Sequence, residues 1–278
     1  MKTVLITGIS SGIGLATAEK FLNQGHRVIG SIRDESTVKS LKLKFEEKLI
    51  LWKCDFLHLN EIDSIIHFLK KNKINKIDIL VNNAGMVTAA PFQFQDFSEV
   101  QDIITTNVLA LMKLTQLVIP YLIPARGRII NISSISGLGG TPFLAAYCAS
   151  KHAVEGFSES LRRELKIYGI KVSVIGPGSI KTPIWSKGFE SIRSRYKKTL
   201  YAESFDRFID FASFEEKNAL PVSEVVDDIL QASFINRPKI RYAPVPRKMM
   251  SAVLPSLMPR FIVDYMTTKA LGLRIKKN

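Results

Sequence analysis

Residues 147–151 read Tyr-Cys-Ala-Ser-Lys, and Ser134 lies thirteen residues upstream. A tyrosine and a lysine four apart share one face of a helix. A phenol with an ordinary pKa near 10 needs help to exchange a proton at neutral pH. The Lys151 cation favours the phenolate, and the Ser134 hydroxyl can orient a substrate oxygen by hydrogen bonding. The chain also opens with Thr7-Gly8-Ile9-Ser10-Ser11-Gly12-Ile13-Gly14, directly after an apolar run. Gly8 permits a tight turn after a strand, Gly12 lets the backbone approach a phosphate, and Gly14 lets the next helix pack closely. The start of that helix offers amide donors and a dipole that favours anions. Ser10 and Ser11 can add hydroxyl donors. Either motif alone is weak. In this order they point to a nucleotide held at the start of the fold and a phenol poised for proton transfer near its middle. That is the chemistry of a nicotinamide-dependent oxidoreductase.

Strands and helices must place these groups together. Short apolar runs at 2–7, 27–32, 49–54, 77–81, 128–132 and 171–175 predict six strands. Helical spacing is predicted over 12–23, 60–71, 100–122 and 149–167. The alternation predicts an α/β fold with a parallel sheet covered on both faces. After Pro177-Gly178 the alternation stops. Residues 182–220 are long and aromatic-rich, which suits a helical flap over a substrate site or a helical insertion packed on the core. An amphipathic helix resumes at 222–234, and 240–243 is the candidate seventh strand. The expected division is a single catalytic domain over 1–245, with the flap at 182–220, and a basic, apolar extension at 246–278.

A chain of 278 residues, 46% apolar, can bury one substantial core. The opening apolar run is too short for a signal peptide. No window reaches eighteen uninterrupted apolar residues, so a spanning helix is not expected. Only two cysteines, Cys54 and Cys148, and four scattered histidines occur. They form no disulfide framework and no metal cluster, so no metal is assigned and a reducing, cytoplasmic setting fits. The formal charge is +14, and residues 237–278 hold ten Lys or Arg against one acid, Asp264. That tail also supplies apolar surface, with Pro255 and Pro259 interrupting any single long helix. A peripheral anchor at a membrane interface is one reading. A segment docked on its own domain or on a second subunit is the other. No nucleic-acid motif accompanies the charge.

The end of the second strand bears on cofactor choice. Ile32 stands where an acid would accept bonds from an adenine ribose, and Arg33 follows. A cation there can pair with the extra phosphate of NADP. Asp34, in a slightly shifted register, would instead reach the ribose. NADP(H) is favoured, with NAD(H) left open. Asp55, after the third strand, can hold the adenine amino group or cap a helix. Asn82-Asn83-Ala84-Gly85 follows the fourth strand. Its small residues and amides suit a tight passage beside a cofactor or stabilise the turn itself.

With these motifs in place, the chain resembles the short-chain dehydrogenase/reductase family, strongly over 2–183 and more loosely over 221–245. The matching features are the turn at 7–14, Asn82-Asn83-Ala84-Gly85, Asn107, Ser133-Ser134, Tyr147 with Lys151, and Pro177-Gly178 followed by Thr182. The sequence around Tyr147 and the apolar flap look most like the hydroxysteroid and retinol dehydrogenase branch. The resemblance implies a seven-stranded, doubly wound Rossmann-like sheet and a catalytic tetrad of Asn107, Ser134, Tyr147 and Lys151. It implies a cofactor held by Gly8, Ser10, Ser11, Gly12, Ile13, Gly14, Arg33, Asp55, Asn83, Ala84, Gly85, Tyr147, Lys151, Pro177, Gly178, Ile180 and Thr182. In relatives the long helices near 100–122 and 149–167 often form the subunit interface, which implies a homo-dimer or homo-tetramer. Between Ser134 and Tyr147 the little-charged Gly140 and Phe143 can line a substrate mouth, with Leu144 and Trp185 extending an apolar wall. Such a pocket suits a hydrophobic alcohol or carbonyl compound. The competing reading is a nucleotide-binding regulatory protein, or a membrane-interface binding protein, with little catalytic activity.

Overall fold

The computed structural model describes residues 1–182, 189–246 and 258–275. Strands β1 (Thr3–Ile6), β2 (Arg27–Ile32), β3 (Leu49–Lys53), β4 (Ile79–Asn82), β5 (Arg128–Ile132), β6 (Lys171–Ile175) and β7 (Arg241–Tyr242) form one sheet. Its order is β3-β2-β1-β4-β5-β6-β7, and every pair is parallel. The doubly wound order reverses between β1 and β4, and ligands of such sheets bind at that crevice.

Side chains alternate across each strand. Val4 and Ile6 of β1 therefore enter one core with Phe21 of α1 (Gly12–Asn23) and Val225 and Ile229 of α9 (Val222–Phe234). Leu5, between them, enters the other core with Leu69 of α3 (Ser64–Lys71), Leu114 and Val118 of α5 (Ala110–Leu122) and Leu161 of α6 (Ala145–Glu164). The short α2 (Lys39–Lys44) follows β2.

The expected single helix over 100–122 is broken. α4 (Phe97–Ile104) runs into a π turn at Thr105–Leu109 before α5 begins. Asn107 sits inside that turn, and its amide group bonds both backbone groups of Met86. The helical run Phe97–Ala125 is long and apolar enough, by length and composition alone, to cross a membrane. Its Leu114, Val118 and Leu122 are fully buried in the core beneath the sheet. α6 begins four residues earlier than the spacing predicts, which puts Tyr147 in its first turn.

Beyond β6, α7 (Phe189–Arg195) and α8 (Ala202–Lys217) build a third core. Phe205 and Phe208 of α8 pack edge-on to Phe143, with ring centroids 5.2 and 5.6 Å apart. In the extension, α10 (Arg260–Leu271) seats Leu271 on this same aromatic cluster, so its end docks on its own domain. Phe261, Tyr265 and Met266 of α10 face outward.

Candidate active site

The glycine turn links two loops. Gly8 and Gly12 take left-handed φ values of 70° and 57°, open to glycine at little cost. The Thr7 hydroxyl accepts from the amides of Asn83 and Ala84, both at 2.8 Å. The Asn83 side chain donates back to the carbonyls of Thr7 and Gly8, at 2.8 and 3.1 Å. Asn83 thus ties the fourth-strand loop to the turn. A Cβ on Gly12 would lie 3.3 Å from the Thr182 methyl, so Thr182 sits directly over the turn. Ser11 stands at the N-cap of α1 without capping it through its side chain. The first amides of α1 are left to a ligand or water.

A cavity of about 640 Å³ begins here. Gly8, Ser10, Ser11, Gly12, Ile13, Arg33, Asp55, Asn83, Ala84 and Gly85 line one part of it, and Ser134, Leu144, Tyr147, Lys151, Pro177, Gly178, Ile180 and Thr182 line another. Arg33, not Asp34, is the charged residue of that pair at the cavity wall. Asp34 is engaged by Ser36, whose amide and hydroxyl donate to it at 2.9 and 2.7 Å. Those bonds hold its carboxyl below the usual range. Asp55 accepts from the Leu57 amide at 3.1 Å while still facing the cavity. Gly14 is absent from the lining. Its place is packing: a Cβ there would stand 2.1 Å from the Gly8 carbonyl oxygen.

Tyr147 and Lys151 lie one turn apart on α6, with the Lys151 ammonium 5.7 Å from the Tyr147 ring centre. Lys151 is buried and donates to the Ile132 carbonyl at 3.0 Å. Ser134, two residues beyond β5, accepts from the Ser136 amide at 3.1 Å, and its hydroxyl faces the Tyr147 phenol, whose pKa it lowers. Asn107 lies behind them, 1% exposed and off the cavity wall. Its amide donates to the Met86 carbonyl at 2.9 Å and to the Ser150 hydroxyl at 3.0 Å. Ser150 in turn donates to the Tyr147 carbonyl at 2.7 Å. A Cβ on Gly85 would fall 3.2 Å from Asn107 Oδ1 and 3.8 Å from Lys151 Nζ, so bare backbone fills the space between those two groups.

The substrate-side residues separate. Leu144 lines the cavity, as do Ser134 and Tyr147. Gly140 is exposed and Phe143 points into the aromatic core of the flap, so neither lines it. Phe143 holds a φ of 70°, unusual for a bulky residue, and its ring packing compensates. Trp185 lies outside the described residues. Three partners were not legible in the motifs. Arg241 of β7 reaches under the site, 3.1 Å from the Glu155 carboxylate and 3.1 Å from the Ser134 carbonyl. Gly176 makes room for it, because a Cβ there would meet the guanidinium at 2.0 Å. The other two, Glu215 and Glu216 of α8, face the cavity.

Burial pushes the Tyr147 phenol up to about 12, with the Ser134 hydroxyl pulling the other way. Burial pushes Lys151 down to about 8, opposed by the Glu155 carboxylate. A lysine whose folded pKa is about 8, against 10.5 ordinarily, sheds its proton on folding between those values. Stability then rises with pH across that window, and the penalty is present in full below it. Tyr147 acts oppositely only above pH 10, where the unfolded phenol ionises and the folded one does not. Between pH 8 and 10 the native protein is expected to gain on Lys151→Met by up to about 1.4 kcal/mol per pH unit. Urea unfolding at each pH measures this, and a difference independent of pH would contradict it.

Residues 2–192 match the model of the short chain dehydrogenase family. The chain is 36% identical to the NADPH-dependent 3-dehydrocapnine reductase of Ornithobacterium rhinotracheale, over 98% of each chain. It is 30% identical to retinol dehydrogenase 16 of Mus musculus, over 95% of this chain and 86% of that one. A short-chain dehydrogenase of Streptomyces avermitilis superposes with a TM-score of 0.78 at 23% identity, over 99% of this chain and 98% of that one.

Proposed function

The chain belongs to the short-chain dehydrogenase family, and from that premise we propose that it is an NADP(H)-dependent oxidoreductase that interconverts a hydrophobic alcohol and its ketone or aldehyde. The carrying observation is the one cavity that holds both the glycine turn with Arg33 and the Ser134, Tyr147 and Lys151 side chains. The residues fit a dinucleotide. The turn at Gly8 and Gly12 lacks side chains where a pyrophosphate would lie against the first amides of α1. Ser10, Ser11 and Ile13 complete that end, Arg33 would pair with a ribose phosphate, and Asp55 would hold the adenine. Asn83, Ala84, Gly85, Pro177, Gly178, Ile180 and Thr182 would enclose the remainder.

When bound, the dinucleotide supplies or accepts the hydride. In the reducing direction Tyr147 gives its phenolic proton to the carbonyl oxygen, and the Ser134 hydroxyl donates a hydrogen bond to that oxygen. The Lys151 ammonium offsets the phenolate charge left behind. At pH 7 a phenol near 12 keeps its proton and a lysine near 8 keeps its charge. That state is suited to donate. Asn107, acting through Ser150, holds the first turn of α6 at the Tyr147 carbonyl.

NADP preference is supported by Arg33 at the wall, by the engagement of Asp34, and by a relative named as NADPH-dependent. A charge-assisted bond is worth about 1.5–3 kcal/mol. Arg33→Ala is therefore expected to weaken NADPH binding about 10-fold or more while leaving NADH nearly unchanged. Fluorescence titration with both nucleotides measures this, and equal losses for both would remove Arg33 as the selector. The reading as a whole is tested by NADPH oxidation across hydrophobic aldehydes and ketones. NADPH bound tightly but consumed with none of them would shift weight to a nucleotide-binding regulatory protein.

A further inference from the structure

The flap wall of the cavity carries charge of one sign. α8 presents Phe208, Phe211, Ala212, Glu215 and Glu216 to it. Those positions are spaced three, one, three and one apart, which is a single helical face. Phe208 rests on the Phe143 ring, close to the start of α6. Seven residues on, about 10 Å along the helix axis, Glu215 accepts from the Ser179 hydroxyl at 3.1 Å. Ser179 follows Pro177 by two residues, and the Pro177 carbonyl is 3.5 Å from the Ser134 hydroxyl. That contact, the chain from Pro177 to Ser179 and the Glu215 bond together keep the Glu215 carboxylate within about 17 Å of Ser134.

Neither acid is neutralised by a cation among the described residues. The chain holds 39 Lys and Arg against 25 Asp and Glu. Yet the ion pairs of α8 among the described residues are made by Glu203, Asp206 and Asp210, and not by Glu215 or Glu216. Both lie in the last turn of α8, where the helix dipole disfavours negative charge. Both are half-buried, and beyond the neutral Ser179 hydroxyl on Glu215 neither meets an opposite charge among the described residues, which is costly for a carboxylate there. A metal ion is a poor candidate, because no group of three or more His, Cys, Asp or Glu among the described residues could hold one. An ammonium, with three donors and one charge, fits two carboxylates better.

Resting on the oxidoreductase reading above, we propose that Glu215 and Glu216 recognise a cationic group of the substrate, which is an apolar ketone or alcohol bearing a protonated amine. The Phe208 and Phe211 end of the same helical face takes the apolar portion, and the carboxylate end selects the amine.

The test is a calorimetric titration at pH 7 of the NADPH-saturated protein with octylamine and, separately, 1-octanol. The two probes match in apolar length and differ in charge. The native protein is expected to bind the amine at least 10-fold more tightly, and Glu215→Gln with Glu216→Gln to erase that advantage. Equal binding of the two probes by the native protein overturns the proposal. So does an amine preference that survives in a double variant whose thermal melting matches the native protein. If the acids serve the cofactor instead, the double variant changes NADP⁺ affinity relative to NADPH while the native protein shows no amine preference. This binding readout is independent of turnover. Amine selectivity in a protein that reduces no carbonyl would keep the charge recognition and reject the oxidoreductase reading. Turnover of apolar ketones without amine selectivity would do the reverse.

Discussion

Turnover by the Tyr147→Phe protein is expected to fall about 10²- to 10⁴-fold, the range for losing a positioned acid–base group, with NADPH bound about as tightly as before. The substitution removes one oxygen and leaves the ring, which packs against the flap cluster. Ser134 keeps its bond from the Ser136 amide, so the end of β5 has a reason to stay in place. Lys151 keeps its bond to the Ile132 carbonyl. What is lost is the proton donor alone. Rate measurements with NADPH and a hydrophobic ketone, beside a fluorescence titration of NADPH, separate the two effects. Near-native turnover would remove Tyr147 from the proposed mechanism, and a parallel loss of NADPH binding would mean that the hydroxyl holds the fold of the site.

The second large effect concerns a residue that touches no reacting atom. Gly14→Ala places a methyl 2.1 Å from the Gly8 carbonyl oxygen and 2.5 Å from the Asn83 amide. Neither atom is free to retreat, because each is bonded to the other at 3.1 Å. Alanine gains about 1 kcal/mol of helix propensity over glycine. Forcing an atom into a packed turn typically costs about 1–3 kcal/mol, occasionally more, and here the obstacle is backbone. The cost wins. The melting temperature is expected to drop by about 2–4 °C for each kcal/mol of net loss, and NADPH affinity to fall at least 10-fold as the turn shifts. Gly156→Ala is the contrast. It lies exposed on α6 with nothing within 4 Å of its new methyl, so the propensity gain stands alone and melting should rise slightly. Thermal melting of both variants and calorimetry with NADPH decide the matter. A Gly14→Ala protein as stable as the native one would show that the turn can slide.

The layered sheet was legible in the sequence, because buried parallel strands are short runs of Val, Leu and Ile and such runs stand out. Arg27–Ile32, Arg128–Ile132 and Lys171–Ile175 have the predicted bounds. The glycine turn and the Tyr147–Lys151 pair were legible because their chemistry depends on local spacing. Other features depend on contacts between distant segments. Arg241 lies 86 residues from Glu155 and 107 from Ser134, and no periodicity links them. Phe143 reads as a wall of the substrate mouth from its position between Ser134 and Tyr147, yet its backbone turns the ring into the flap. The aromatic residues of 182–220 announced a helical element. Which of its faces would meet the cavity became clear only from α8, where the acids follow Phe208 and Phe211 at helical intervals.

The π turn at Thr105–Leu109 has a consequence for how one helical run serves two masters. A π turn holds one residue more than the α-helix around it requires. Each residue of an α-helix advances about 100°, so the extra residue puts α4 and α5 out of phase. The apolar stripe of α5 can then stay on the sheet through Leu114 and Val118 while Asn107 is aimed at the backbone of Met86. In an unbroken helix the same rotation would have to satisfy both, and either the core or the polar grip would lose its alignment. The insertion works like a phase shifter, separating the part of the helix that bears load from the part that points.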